Sequence, residues 1–141
     1  APGSRFELGK GAVLRDGGDV TVIASGMMVQ MALKAAEALQ AEGVSVRVVD
    51  MHTIKPLDEA LVLRCARETG CIVTTEEHNI IGGLGEAVAA CVSAGCPVPV
   101  VRHGVEDVFG RSGKAERVLE HFGLSPEGIA AKVRQALELK K

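Results

Sequence analysis

Two kinds of apolar pattern alternate along the chain. Short runs rich in Val, Ile and Thr are separated by longer segments in which apolar residues recur every three to four positions, and Gly, Pro or Asp marks nearly every junction. The short runs are typical of buried strands, and the longer segments are typical of amphipathic helices. The pattern predicts five strands, at residues 12–15, 19–24, 44–50, 71–75 and 97–101.

The predicted helices carry start and stop signals. The first opens after Ser25 and ends at Gly43, because glycine suits a C-terminal cap. The second runs from 56–58 towards 70, and the third follows the glycines at 82–85. Two more end the chain, one lined by apolar residues at 115–122 and one with a capping Ser125 and with Pro126 in its first turn. The first and last helices are expected to turn these residues inward: Val29, Ala32, Leu33, Ala36, Leu39, Ile129, Val133 and Leu137.

Strand–helix–strand repeats of this size predict an α/β fold, a three-layer α/β/α domain with a mainly parallel sheet of about five strands. The tight-turn signal at 16–19 predicts that the first two strands form a hairpin, which adds one antiparallel edge strand. Pro97 and Pro99 cannot donate ladder hydrogen bonds, so the last strand is expected at an edge. Residues 1–8 are expected to be a linker or a remnant of cloning, and residues 9–141 the domain.

The amino-acid composition argues against several classes of function. The 141 residues carry a net charge of -2, which argues against a nucleic-acid-binding protein, and three Phe without Tyr or Trp leave little for bases to stack on. No apolar run approaches the roughly 18 residues of a membrane helix. The four cysteines form no CxxC pair, so free thiols in a reducing cytoplasm are expected rather than a zinc site.

Two glycine-rich segments resemble phosphate-binding motifs incompletely. Residues 83–88 begin like the dinucleotide fingerprint, but Val88 stands where a third small residue belongs, and nearby carboxylates would repel a pyrophosphate. Close backbone packing at a helix N-terminus is the favoured interpretation. Residues 110–114 resemble a P-loop, but Val108 and Ala115 replace two of its required residues, which favours a surface turn.

His78 follows two glutamates directly after a predicted strand. In open α/β sheets ligands bind beyond the carboxyl ends of the strands, and neighbouring carboxylates raise the pKa of a histidine. His78 with Glu76 or Glu77 is therefore a candidate acid or hydrogen-bond donor, although a structural or interface role is commoner for such a group. No nucleophile or complete catalytic set accompanies it, so no catalytic, cofactor-binding or metal-binding residue is assigned.

Four motifs stand in order along the chain, at residues 19–26, 50–58, 76–88 and 107–114. Together they resemble the C-terminal domain of transketolase. The resemblance covers nearly the whole chain, from Gly9 to Leu139. The same type of domain forms the C-terminus of deoxyxylulose-phosphate synthase and of the pyruvate dehydrogenase beta subunit. The Glu-Glu-His block at 76–78 and the Ser-Gly-Lys turn at 112–114 are more similar to transketolase than to these relatives.

The resemblance implies a dimeric, thiamine-diphosphate-dependent enzyme in which Mg or Ca holds the diphosphate and a two-carbon ketol unit passes between sugar phosphates. It also implies that two other modules form the active site and carry a Gly-Asp-Gly…Asn metal motif. Here Gly18-Asp19 is followed by Val20, and Asn79 lies far beyond the spacing of that motif. The chain is therefore expected to need no cofactor itself, to be inactive alone, and to pack against the remaining modules and a second protomer.

The segment from Glu76 to Gly85 is the candidate surface for facing the partner module. Two other classes of function stay open: an enzyme that uses His78 with Glu76 or Glu77, and a ligand-binding or regulatory module that receives an anion at the helix N-terminus. The C-terminal domain of a related thiamine-diphosphate enzyme is a further alternative. The candidate interface or ligand residues are Glu76, Glu77, His78, Gly82, Gly83, Gly85 and Glu86.

Overall fold

Five strands and four helices account for the regular structure of the residues described by the computed structural model, which are 10–52, 56–79, 83–105 and 125–140. Only the backbone is described at 77–79 and 105. In chain order the elements are β1 (Ala12–Arg15), β2 (Val20–Ala24), α1 (Met28–Ala41), β3 (Val46–Asp50), α2 (Glu59–Thr69), β4 (Ile72–Asn79), α3 (Leu84–Gly95), β5 (Val100–Val105) and α4 (Pro126–Lys140).

The strands form one sheet in the order β1-β3-β2-β4-β5. Strands β3, β2, β4 and β5 are parallel, and β1 runs antiparallel to β3. All four parallel strands therefore end at the same side of the sheet, called the carboxyl edge below, and begin at the opposite amino edge. Ligands and partners of open α/β sheets usually bind at the carboxyl edge.

Helices cover both faces of the sheet, as the sequence predicted. One apolar cluster joins α1 and α4 to residues such as Val22 and Val73, and the other joins α2 and α3 to Ile23 and Ile72. Successive strand residues thus supply opposite clusters, which explains why β2 is buried along its entire length.

Local capping chemistry marks the start of α2 and α4 and the end of α1 and α2, near the positions that the sequence predicted. The Asp58 carboxylate accepts a hydrogen bond from the Leu61 N–H at 3.2 Å and caps α2, which ends at Gly70 with a φ of 79°. The Ser125 hydroxyl accepts from the Gly128 N–H at 3.1 Å and caps α4. Gly43 follows α1 with a φ of 84°, a conformation that glycine adopts without steric cost.

The predicted hairpin between β1 and β2 is wrong, because β3 lies between them. The connecting residues 16–19 cross the start of β3, where Asp19 and Ser45 exchange hydrogen bonds of 2.9 and 2.7 Å. A Cβ atom at Gly17 would lie 2.4 Å from the carbonyl carbon of Val46, so the crossing requires glycine there. The antiparallel edge strand is nevertheless present.

Two strand boundaries also differ from the prediction. Strand β4 continues to Asn79 because β5 offers it partners beyond Thr75, with Glu76 opposite Gly104. Strand β5 begins at Val100, so the prolines precede it, and it is the edge strand of the described sheet as expected. The expected linker at 1–8, the helix at 115–122 and the turn at 110–114 lie outside the described residues.

Candidate interface at the carboxyl edge

Glu76 is buried near the end of β4, with 3% of its surface exposed. Its carboxylate oxygen Oε2 accepts a hydrogen bond of 2.8 Å from the backbone N–H of Gly85, in the first turn of α3. The free N–H groups and the dipole of a helix N-terminus stabilise a negative charge. Glu76 therefore serves α3 as an internal anion, which explains how a carboxylate is accommodated inside the protein.

Gly85 lets α3 lie directly on the sheet. A Cβ atom there would come within 2.7 Å of Arg102 Cδ and 2.9 Å of the Thr74 hydroxyl oxygen. This is the close backbone packing that the sequence favoured over a dinucleotide fingerprint. Since Glu76 already binds the Gly85 N–H, a phosphate arriving from solution would have to displace a buried carboxylate.

The structure places the seven candidate residues in different surroundings, and Gly83 directly precedes α3 as its N-cap. Glu76 and Gly85 are buried and bonded to each other, whereas Glu86 is exposed on the outer side of the same helix turn. Glu77 and His78 extend β4 instead of opening a loop, so the predicted loop begins later than expected. Their side chains, and Gly82, lie outside the described residues. The bond to Gly85 argues against Glu76 as a catalytic partner of His78.

A buried histidine that the sequence analysis did not single out lies at the same edge. His103 Nδ1 is 3.0 Å from the Thr75 hydroxyl oxygen, on neighbouring strands in direct register. Because the two side chains lie on the α1 and α4 face, they are separated by the sheet from Glu76. Only the register between β4 and β5 brings Thr75 and His103 together, and no pattern in the local sequence specifies that register.

Charged contacts at the amino edge have a structural role. The buried guanidinium of Arg47 contacts Asp16 at 2.9 Å and Glu68 at 2.7 Å, tying the crossing segment to α2. Hydrogen bonds from Arg47 lower the pKa of both carboxyl groups. Burial raises the pKa of the Cys71 and Cys91 thiols, which makes them less reactive as nucleophiles.

The described residues, 10–52, 56–79, 83–105 and 125–140, provide neither a metal site nor a disulfide. Within these ranges no three His, Cys, Asp or Glu side chains come together in a way that could hold a metal ion. The four cysteines are free, two of them buried. None of the described helices combines the length and the apolar character needed to cross a membrane.

Comparison with known proteins decides the family. The family described as "Transketolase, C-terminal domain" matches residues 9–129. The chain belongs to the transketolase C-terminal domain family. It is 47% identical to the 6-deoxy-6-sulfo-D-fructose transketolase subunit of Clostridium sp. (strain MSTE9) and 46% identical to the putative transketolase C-terminal section of Methanocaldococcus jannaschii. Each match covers 96% of this chain and 42% of the relative.

A solved structure resembles this transketolase C-terminal domain over the whole length of the present chain. It is named "Split gene transketolase, inactive beta4 tetramer", is 50% identical and superimposes with a TM-score of 0.95, covering 100% of this chain and 46% of that one. A 1-deoxy-D-xylulose-5-phosphate synthase of Heliobacterium modesticaldum is 40% identical over 91% of this chain and 20% of its own. The chain thus spans about two fifths of the length of the transketolase relatives it matches.

Proposed function

We propose that this chain is the C-terminal structural and interface domain of a transketolase, whose complete form transfers a two-carbon ketol unit between sugar phosphates. The observation that carries the proposal is the likeness to the split-gene transketolase, at 50% identity and a TM-score of 0.95 over all of this chain and 46% of the other. Such a likeness at less than half the length is what a shared C-terminal domain produces.

Thiamine diphosphate and its Mg or Ca ion belong, in this proposal, to the remaining modules. The described residues do not fit a diphosphate cradle, because the Gly85 N–H at the N-terminus of α3 is already bound by Glu76. They also contain no cluster of carboxylates and histidines suited to a divalent ion. We therefore infer that the domain is inactive alone and contributes through its contacts.

The segment from Glu76 to Gly85 is proposed to face the neighbouring module or a second protomer. Its position at the carboxyl edge supports this role, since that edge is the usual binding side of an open α/β sheet. The bond between Glu76 and Gly85 joins the base of the segment to α3, and the exposed Glu86 lies beside it. In this proposal the partners of the domain are the other transketolase modules and a second protomer. The complete enzyme is proposed to act in the cytoplasm.

Calorimetry tests whether thiamine diphosphate binds to the remaining modules and not to this domain. The isolated chain, titrated with thiamine diphosphate and Mg, is expected to show no micromolar binding and no turnover of sugar phosphates. The complete protein should bind the cofactor and transfer a ketol unit between sugar phosphates. Micromolar binding by the isolated chain would contradict the inference about the cofactor, and a complete protein without ketol transfer would contradict the proposed activity.

A further inference from the structure

Met27 is an exposed apolar side chain at the carboxyl edge. It lies between the end of β2 and the first residue of α1, with 43% of its surface exposed. Gly26, directly before it, has a φ of 61°, and this left-handed turn carries the chain from the strand into the helix. A single exposed apolar residue is ordinary in itself, so its surroundings decide its meaning.

The chain enters the domain at this same edge. Ala12, the first residue of β1, pairs with Asp50, the last residue of β3. The preceding N–H, that of Gly11, donates a hydrogen bond of 2.9 Å to the carboxylate of Asp58, which is buried. The first described residues before β1 are therefore held against the start of α2.

A continuous set of contacts leads from these residues to the end of β2. A Cβ atom at Gly11 would lie 3.1 Å from the Met51 side chain, so the two residues are closely packed. The Met51 N–H donates to the Ala24 carbonyl at 2.9 Å, at the end of β2. Since neighbouring strands are about 4.8 Å apart and only β3 separates β1 from β2, the start of β1 lies about 10 Å from the end of β2. Met27 follows the last residue of β2, Ala24, by three positions.

Polar groups lie at the same edge, at the end of the strand next to β2. Asp50 ends β3 and His52 comes two residues later, with their side chains about one third and one quarter exposed and 3.8 Å between Asp50 Oδ1 and His52 Nδ1. An apolar centre with a partly exposed polar rim is the arrangement found in protein interfaces.

At the amino edge, hydrogen bonds within the chain connect the end of α4 to the segments before β2 and β4. The ammonium group of Lys140, near the end of α4, donates to the carbonyls of Asp19 at 2.7 Å and Thr69 at 2.8 Å. Leu139 beside it is 57% exposed. It therefore matches Met27 as an exposed apolar residue next to a helix end, but on the opposite edge from the arriving chain.

We propose that Met27 is the apolar anchor of the contact between this domain and the module that precedes it in the complete transketolase. This inference rests on the proposed function and names the surface and the occupant. The occupant is the preceding module because the chain enters the domain at the same edge, two strand positions from the end of β2, and because the matched relatives are more than twice as long as this chain. That module should present an apolar pocket with hydrogen-bonding groups around it.

Photo-crosslinking in the complete protein tests the occupant. One diazirine amino acid is introduced at position 27 or, as the matched control, at position 139, and the crosslinked peptides are identified by mass spectrometry. Crosslinks from position 27 to the preceding module, without such crosslinks from position 139, are expected. Crosslinks from position 27 only within this domain, or only to the same domain of a second copy, would overturn the proposal.

Two substitutions measure the strength of the contact. In the complete protein, Met27→Glu should raise the rate of proteolytic cleavage between the preceding module and β1 by about tenfold or more, as expected when an interface anchor is lost. Leu139→Glu should leave that rate within about twofold. Equal rates for both variants would overturn the proposal. Because crosslinking and cleavage do not require turnover, a protein without ketol transfer would contradict the proposed function and leave the docking result intact.

Discussion

The two edges of the sheet place their charged groups differently. At the amino edge, Arg47 and Lys140 bind carboxylates and carbonyls of neighbouring segments, so that edge is held by contacts inside the chain. At the carboxyl edge the carboxylates of Asp58 and Glu76 accept hydrogen bonds from backbone N–H groups in the first turns of α2 and α3. The amino edge is therefore held together within the domain, whereas the carboxyl edge combines buried hydrogen bonds with exposed side chains such as Met27 and Glu86.

The largest effect is expected where the chain crosses β3 at the amino edge. Gly17→Ala places a Cβ atom against the Val46 backbone, which cannot move aside as a flexible side chain could. We expect the free energy of unfolding to fall by about 1–3 kcal/mol or more. Chemical denaturation measures it, and Gly18→Ala is the control, since nothing lies within 4 Å of a Cβ atom there. Equal losses in the two variants would mean that the crossing is not tight.

A smaller effect is expected from Glu76 at the carboxyl edge. Glu76→Ala leaves the buried Gly85 N–H without its acceptor and should lower the free energy of unfolding by about 1–3 kcal/mol. Glu76→Gln keeps an acceptor oxygen and should recover part of that loss. If Glu76→Ala has no effect on denaturation, the carboxylate does not hold the N-terminus of α3.

The ion contacts of Arg47 predict a dependence of stability on pH. Asp16 and Glu68 have pKa values lowered from ordinary values of 3.8 and 4.5 by hydrogen bonds from Arg47. Because the unfolded chain binds protons first, their contribution to stability is complete above a pH of about 4.5 and is lost as pH falls through the lowered values.

Arg47→Met should therefore flatten the fall in melting temperature between about pH 5 and pH 3. Arg67→Met, which removes an exposed positive charge from α2, is the control and should keep the slope of the unmodified protein. An unchanged slope in Arg47→Met would show that other groups determine the acid sensitivity.

The smallest effect on the domain itself is expected from His78. If His78 faces the partner module, His78→Ala should change the free energy of unfolding of the isolated chain by no more than about 0.5 kcal/mol. The same substitution should weaken association or activity in the complete enzyme. A loss of several kcal/mol in the isolated chain would instead identify His78 as part of an internal hydrogen-bond network.

Features determined by nearby residues were predictable from sequence. Asp58, Gly70 and Ser125 cap helices through chemistry that depends on a few adjacent positions, and alternating patterns predicted the three layers. The partner of β1 was not predictable, because the turn residues at 16–19 fit a hairpin equally well and only the distant β3 decides the pairing.

The position of the candidate segment in the fold was predictable, but its contacts were not. Because the segment follows the start of a buried strand, the sequence placed it towards the carboxyl edge, and the structure has its first residues within β4. The charge of Glu76 suggested an exposed loop, whereas a helix N-terminus nine residues later makes its burial favourable. The contact between Thr75 and His103 depends on strand register, which no local pattern specifies.

The pairing of β1 with β3 has a consequence for folding order. Ala12 leaves the ribosome before its partner Asp50, and β2 and α1 are synthesised between them. Closing so long a loop costs entropy that later contacts must offset, so β1 should dock after β2 and β3 have paired. Pulsed hydrogen exchange during refolding should therefore protect the amides of β2 before those of β1. Strand β1 would then join the sheet late, after the parallel strands have assembled.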